Sequence, residues 1–160
     1  MMGAGKTTVG KRLAGSLGWR FVDLDQEIEN STGVSVATIF EIEGEAGFRR
    51  REAQALARIA NASQQVVATG GGVILNPLNR MRLAVGIVVY LHAAPDMLFA
   101  RTRHDKNRPL LQVADPLARI AQLTQQRDPL YREVADIVVE TGDSLNNTVR
   151  AIERKLHGHA

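Results

Sequence analysis

Gly3-Ala4-Gly5-Lys6-Thr7-Thr8 is the stretch on which the fold turns. Gly5, Lys6 and Thr7, with Gly3 just before them, match the end of the pattern G-x-x-x-x-G-K-[ST]. A helix is expected at once over Thr7 to Leu17, with Val9, Leu13 and Leu17 on one face and Gly18 as its stop. Glycines let backbone N–H groups curl around phosphate oxygens, and the helix N-terminus adds its positive end. In such a loop Lys6 reaches the β- and γ-phosphates of a nucleotide, and the Thr7 hydroxyl ligates Mg²⁺. The bland alternative is a flexible terminus before an ordinary helix, since Gly-Lys-Thr alone also occurs by chance.

The first glycine of the pattern would fall one residue ahead of Met1, and the strand that feeds such a loop is not in the sequence. An interior strand missing from a parallel sheet leaves backbone groups beside it unpaired. The natural chain is therefore expected to begin about eight to ten residues earlier, room for a short strand and its turn.

Beyond the loop, strand and helix patterns alternate, which predicts an α/β fold around a parallel sheet. Strands are expected at Arg20 to Leu24, Val66 to Thr69, Ile87 to His92 and Asp136 to Glu140. The third of these is apolar enough to be buried on both faces. Helices are expected from Asp25 to Thr32, from Ser35 to Ile42 with a stop at Gly44, and from Glu45 to Ala60. Others open at Asn76-Pro77, at Pro95 and at Asp115-Pro116, the last running to about Arg127 and breaking near Pro129. A final helix carries the stripe Leu145, Val149, Ile152 and Leu156. The reading is one domain over residues 1–160, with a mobile lid at about 103–115.

Composition narrows the function. With 44% hydrophobic and 23% charged residues the chain reads as soluble and globular, and the longest apolar run, Ile87 to Leu91, is too short for a membrane. There is no cysteine, which excludes a disulfide framework and thiolate metal sites and suits a cytoplasmic location. Arg101, Arg103, Lys106 and Arg108 against Asp105 give a local excess of +3, which equals the net charge of the whole chain. One cationic segment on a neutral body suits a polyphosphate ligand better than nucleic acid, and aromatics for base stacking are few.

Further candidate residues lie along the chain. Asp23 and Asp25 flank Leu24 at the end of a predicted strand, so alternation turns both carboxylates toward one site. One can hold a metal-bound water while the other accepts a hydrogen bond from an attacking hydroxyl; the ordinary reading is a solvated strand end or a helix cap. Arg49 and Glu52, three apart on a helix, can pair, and Phe48 beside Arg49 puts that arginine at the buried margin, where it suits a carboxylate. Gly70, Gly71 and Gly72 follow a strand directly and bring backbone N–H groups near a ligand, where a Walker B strand would carry an acid. Arg108-Pro109 can close over phosphates, and Arg127 precedes Pro129-Leu130-Tyr131 at a helix end facing the cleft. His92, His104, His157 and His159 show no metal-ligand spacing.

Taken together, Gly-Ala-Gly-Lys-Thr at 3–7, Asp-Leu-Asp at 23–25, Phe-Arg-Arg at 48–50 with Glu52, Gly-Gly-Gly at 70–72, Arg-Pro-Leu-Leu at 108–111 and Arg127 before Pro-Leu-Tyr at 129–131 resemble the shikimate kinase family. The resemblance implies a five-stranded parallel sheet in order 2-3-1-4-5, with strand 1 the piece absent here. It implies ATP and Mg²⁺: Gly3, Ala4, Gly5, Lys6, Thr7 and Thr8 around the phosphates, Thr7 and Asp23 at the metal, and Arg101 near the adenine. Asp25 would bind the 3-hydroxyl of shikimate and act as its orienting base. Arg49 and Arg127 would clamp the carboxylate, Gly71 would donate a backbone N–H to the substrate, and Arg108 would come from the lid. Lys6, Asp25 and Arg108 are the catalytic set. The family often has a basic nucleotide contact near position 144, where Ser144 stands. A monomer is expected, with no nucleic-acid or membrane partner. The rivals are a gluconate-kinase-like enzyme of the same group and a non-catalytic binding relative.

Overall fold

Glycines set the boundaries of the first half of the chain. In the computed structural model, which describes residues 1–142 and 144–159, Gly5 (φ 92°) and Gly18 (φ 67°) bracket helix α1, Lys6–Leu17. Both adopt the left-handed conformation that glycine enters without steric cost. Strand β1, Arg20–Asp23, leads directly into α2, Leu24–Thr32, which Gly33 ends in the same way. Helix α3, Val36–Ile59, is capped by Ser35 and interrupted at Gly44 (φ 68°, ψ −177°). The expected stop at Gly44 is there: its non-helical backbone divides α3 into two helical arms.

Strand β2, Gln65–Ala68, precedes the three glycines, and a 3₁₀ turn at Val73–Leu75 leads to α4, Pro77–Leu83. Asn76 caps α4 by accepting from Leu78 N at 2.9 Å, with Pro77 at the first position, where its missing N–H costs nothing. Then follow β3, Val89–His92; α5, Pro95–Thr102; a 3₁₀ turn at Pro109–Leu111; α6, Pro116–Val134; β4, Ile137–Glu140; and α7, Leu145–His159.

The strands form two parallel pairs. β1 runs beside β2 from Arg20↔Gln65 to Asp23↔Ala68, and β3 beside β4 from Val89↔Ile137 to His92↔Glu140. These are the 2-3 and 4-5 halves of the expected order. Among the described residues no hydrogen-bonded strand joins them, so the sheet has four strands in two pieces and not five in one. Helices pack around both pairs: α1 lies against β1, β2 and α7, and α5 against α6. Leu24, Ile28, Leu98, Ile120 and Ile152 are fully buried between the layers, each contributing about 1.5–3 kcal/mol by leaving water. Met1 and Ala4 are buried in the same core.

Three expectations need correction. Asp25 does not end a strand: Asp23 caps α2 through Oδ1, which accepts from Asp25 N at 3.0 Å and Gln26 N at 3.2 Å, so Asp25 lies in the first helical turn. Helix α6 does not break at Pro129; its buried stripe of Ile120, Leu123, Arg127 and Tyr131 runs straight across the proline. Ile87 is exposed, because the strand starts only at Val89, after the Val88 N–H donates to Asp136 Oδ2 at 2.7 Å. Tyr90 and Leu91, neighbours that point to opposite faces, are the residues of β3 buried on both sides. No described helix is long and apolar enough to cross a membrane.

Candidate active site

The three glycines after β2 are small because large polar groups crowd them. A β-carbon on Gly70 would lie 3.1 Å from Glu52 Oε2 and 3.4 Å from Asp25 Oδ1. On Gly71 it would meet Tyr131 Oη at 3.1 Å and the Arg127 guanidinium at 3.5 Å; on Gly72 it would fall into the Arg49 guanidinium at 2.2 Å. One short turn thus gathers groups from α2, α3 and α6. The acid, the two distant arginines and the glycine turn share one crevice of about 400 Å³, whose other walls carry Gly3, Gly5, Lys6, Thr7, Thr8, Asp23 and Arg108. A second hollow, between Thr102 and Pro116, holds none of these groups. Convergence of charge marks the site.

The charged groups on this wall are partly paired with one another and partly left without a partner. Glu52 is wholly buried, and its Oε1 accepts from Arg49 Nη1 at 2.9 Å, while Glu45 takes the other Arg49 nitrogen at 3.2 Å. Glu52 Oε2 and Asp25 Oδ1 are buried without a hydrogen-bond partner. Burial is the main reason that the Asp25 carboxyl is pushed above the usual range; Asp23 adds to it, while Lys6 and Arg49 oppose. Burial also raises Glu52, against the pull of Arg49. Arg127 is 3% exposed, on the core stripe of α6, with no carboxylate in ion-pair reach among the described residues. An arginine at a core-stripe position is itself a signal, for such a charge is retained where something must meet it. Val36, Phe40 and Phe48 make the apolar part of the wall, with the two phenylalanine rings 4.8 Å apart. Val36 and Phe40 were not singled out in the sequence; their helical spacing looks like ordinary core.

The opposite wall is the glycine loop. Lys6 Nζ donates to Met1 O at 2.6 Å, so the ammonium is turned into its own loop. Burial, and next Arg108, lower its pKa to about 8, with Asp25 and Asp23 opposing. Thr7 Oγ1 donates to Asp23 Oδ2 at 2.9 Å. That hydroxyl and that carboxylate are hard oxygen donors side by side at the cleft, a set that fits Mg²⁺ held jointly with phosphate and water. Among the described residues no group of three or more His, Cys, Asp or Glu could hold a metal unaided. Ala4 is buried, so only its backbone can meet a ligand, and Gly3 (φ 75°) has the Thr102 methyl 2.7 Å from where a β-carbon would stand. Arg101 lies outside the crevice wall, donating to Gly3 O at 3.2 Å and Thr141 Oγ1 at 3.4 Å. Arg108, from the segment ahead of the Pro109–Leu111 turn, lines the crevice with its Nε 2.8 Å from Asp105 Oδ2. Ser144 caps α7, accepting from Asn147 N at 3.1 Å.

Comparison with known proteins gives the family. A family model described as shikimate kinase matches residues 2–157. A shikimate kinase of Aromatoleum aromaticum is 58% identical over 98% of this chain and 90% of its own length; one of Thiobacillus denitrificans is 53% identical over 99% and 85%. Among solved structures, the shikimate kinase from Acinetobacter baumannii in complex with shikimate superposes with a TM-score of 0.96 at 46% identity, covering 99% of this chain and 89% of that one. The enzyme from Aquifex aeolicus gives 0.87 at 32% identity over 99% and 94%. The chain belongs to the shikimate kinase family.

Proposed function

We propose that this shikimate kinase phosphorylates the 3-hydroxyl of its substrate with ATP by the following division of labour. The observation that carries it is the convergence of Asp25, Arg49 and Arg127 on the Gly70–Gly72 turn, across one crevice from Lys6. One buried guanidinium, Arg127, and one half-buried, Arg49, suit a single carboxylate, which each can grip through paired N–H donors. With the ring fixed at that end, its hydroxyl falls to Asp25, whose free Oδ1 accepts the hydroxyl hydrogen. The raised pKa makes Asp25 a better proton acceptor than an exposed carboxylate near neutral pH. Gly71, whose N–H has no partner within the protein among the described residues, donates to the substrate.

In the transfer, the hydroxyl oxygen bonds to the γ-phosphorus, the bond to the bridging oxygen of ADP breaks, and the hydroxyl proton passes to Asp25. Lys6 and Arg108 offset the charge that develops on the phosphoryl oxygens, and the amides of Gly3, Ala4 and Gly5 with Thr8 hold the remaining phosphates. Arg101 stands on the nucleotide side of the loop. Thr7 and Asp23 would hold Mg²⁺, which neutralises phosphate charge when bound. The segment 103–115 serves as a lid that keeps water from competing as acceptor. The enzyme is taken to act as a monomer in the cytoplasm.

The test is coupled ADP release with shikimate, gluconate and nucleoside monophosphates in parallel. Shikimate-dependent turnover alone is the expected outcome, and equal turnover of gluconate overturns the assignment of these residues.

A further inference from the structure

The last two turns of α6 are gripped from outside the helix. Arg127 and Tyr131 lie on its buried face, while Asp128 and Arg132, also four apart, lie on the adjoining one. Pro129 stands among them and removes one N–H from the helical ladder, so the helix's own bonds hold this segment less firmly than the turns before it. Tyr90 of β3 supplies the missing restraint. Its hydroxyl donates to Asp128 Oδ1 at 2.8 Å, and Arg132 Nε donates to the other oxygen of the same carboxylate at 2.8 Å. The Arg132 guanidinium sits 5.9 Å from the centre of the Tyr90 ring, and the Tyr131 ring packs against it at a tilt, centroids 4.8 Å apart. Tyr131 in turn donates through Oη to Gly71 O. One buried strand side chain is thus clasped by three helix residues that follow Arg127, and the clasp ends on the glycine turn.

We propose that Tyr90 is a positioning residue for Arg127: by holding Asp128 it fixes the rotation of α6 about its own axis, and with it the aim of the Arg127 guanidinium. This rests on Arg127 as the carboxylate clamp. Tyr90 is absent from the crevice wall, so it touches no reacting group and acts only through α6. A merely structural tyrosine affects stability and the amount of active enzyme. A positioning tyrosine affects the KM for the carboxylated substrate while kcat and the KM for ATP stay put.

The experiment is steady-state kinetics on Tyr90→Phe, Arg127→Ala and the double variant, with thermal melts alongside. Tyr90→Phe keeps the ring and its packing and deletes only the hydroxyl. It is expected to raise the shikimate KM about fivefold, leaving kcat and the ATP KM within about twofold. Arg127→Ala is expected to raise the same KM by about thirtyfold or more, and Tyr90→Phe should add nothing on that background. If Arg127→Ala raises KM and Tyr90→Phe does not, positioning is overturned and the clamp survives. An unchanged KM in Arg127→Ala removes the clamp and this inference together. A full further loss from Tyr90→Phe in the Arg127→Ala background also overturns the proposal, since the hydroxyl then acts by another route.

Discussion

The two walls of the crevice are prepared for their ligands in opposite ways. On the acceptor wall, Asp25 and Glu52 keep buried oxygens unpartnered, and Arg49 is fixed between Glu45 and Glu52. On the nucleotide wall Lys6 already donates to the Met1 carbonyl and Arg108 lies against Asp105, while Arg101, outside the crevice, holds the Gly3 carbonyl. The acceptor wall resembles a mould, in which binding fills prepared positions at little cost in reorganisation. On the proposed roles the nucleotide wall would work by exchange, a phosphate taking the Lys6 ammonium from the Met1 carbonyl.

The comparison breaks most sharply at Asp25. Asp25→Asn keeps shape and removes the proton acceptor, so kcat should fall by about a hundredfold or more. Nucleotide affinity, a property of the other wall, should stay within about twofold by equilibrium titration. A matching loss of nucleotide binding would mean that the walls are not separable. Next in size is Gly72→Ala, whose methyl would occupy the place of the Arg49 guanidinium. The backbone there (φ −89°, ψ 0°) accepts alanine, and the displaced atoms are the tip of a flexible side chain. The shikimate KM should therefore rise about tenfold with little change in melting temperature.

For the nucleotide wall, pH is the sharper instrument. Lys6 has to be charged to meet phosphate, and its pKa in the free protein is lowered to about 8, chiefly by burial and then by Arg108. Rising pH removes the proton, so kcat/KM for ATP should fall above about pH 8, toward tenfold per pH unit. A bound polyphosphate favours the ammonium, so the matching fall in kcat should come at higher pH; coincident profiles would contradict the exchange picture. The smallest effect belongs to Asp105→Ala. Its partner Arg108 is over a third exposed, and such a pair is worth about 0.2–1 kcal/mol. Releasing the arginine should lower the KM for ATP by at most about fivefold.

Much of this could be seen in the letters of the sequence, wherever one residue's own chemistry sets the local structure. Gly18, Gly33, Ser35, Asn76 and Asp115 mark helix ends because their conformations or side-chain oxygens act on the adjacent backbone. The pairing of Arg49 with Glu52 is likewise a matter of helical spacing. What could not be seen depended on partners distant in the chain. Asp23 could end a strand or cap a helix, and the Thr7 hydroxyl meets the one carboxylate oxygen that the cap leaves free. Pro129 reads as a breaker, but the loss of one hydrogen bond is outweighed by a stripe packed on both sides of it. The clasp on Tyr90 joins residues 38 positions apart, and no local pattern announces it.

The interruption of α3 at Gly44 has a mechanical consequence. It divides the helix into a short arm bearing Val36 and Phe40 and a long arm bearing Arg49 and Glu52. The ties across the joint are the stacked rings of Phe40 and Phe48 and the Arg51–Glu43 pair. No atom packs against the space beside the Gly44 α-carbon. The apolar side of the crevice and its charged side are thus carried on separate arms of one helix, and a single glycine sets the angle between them.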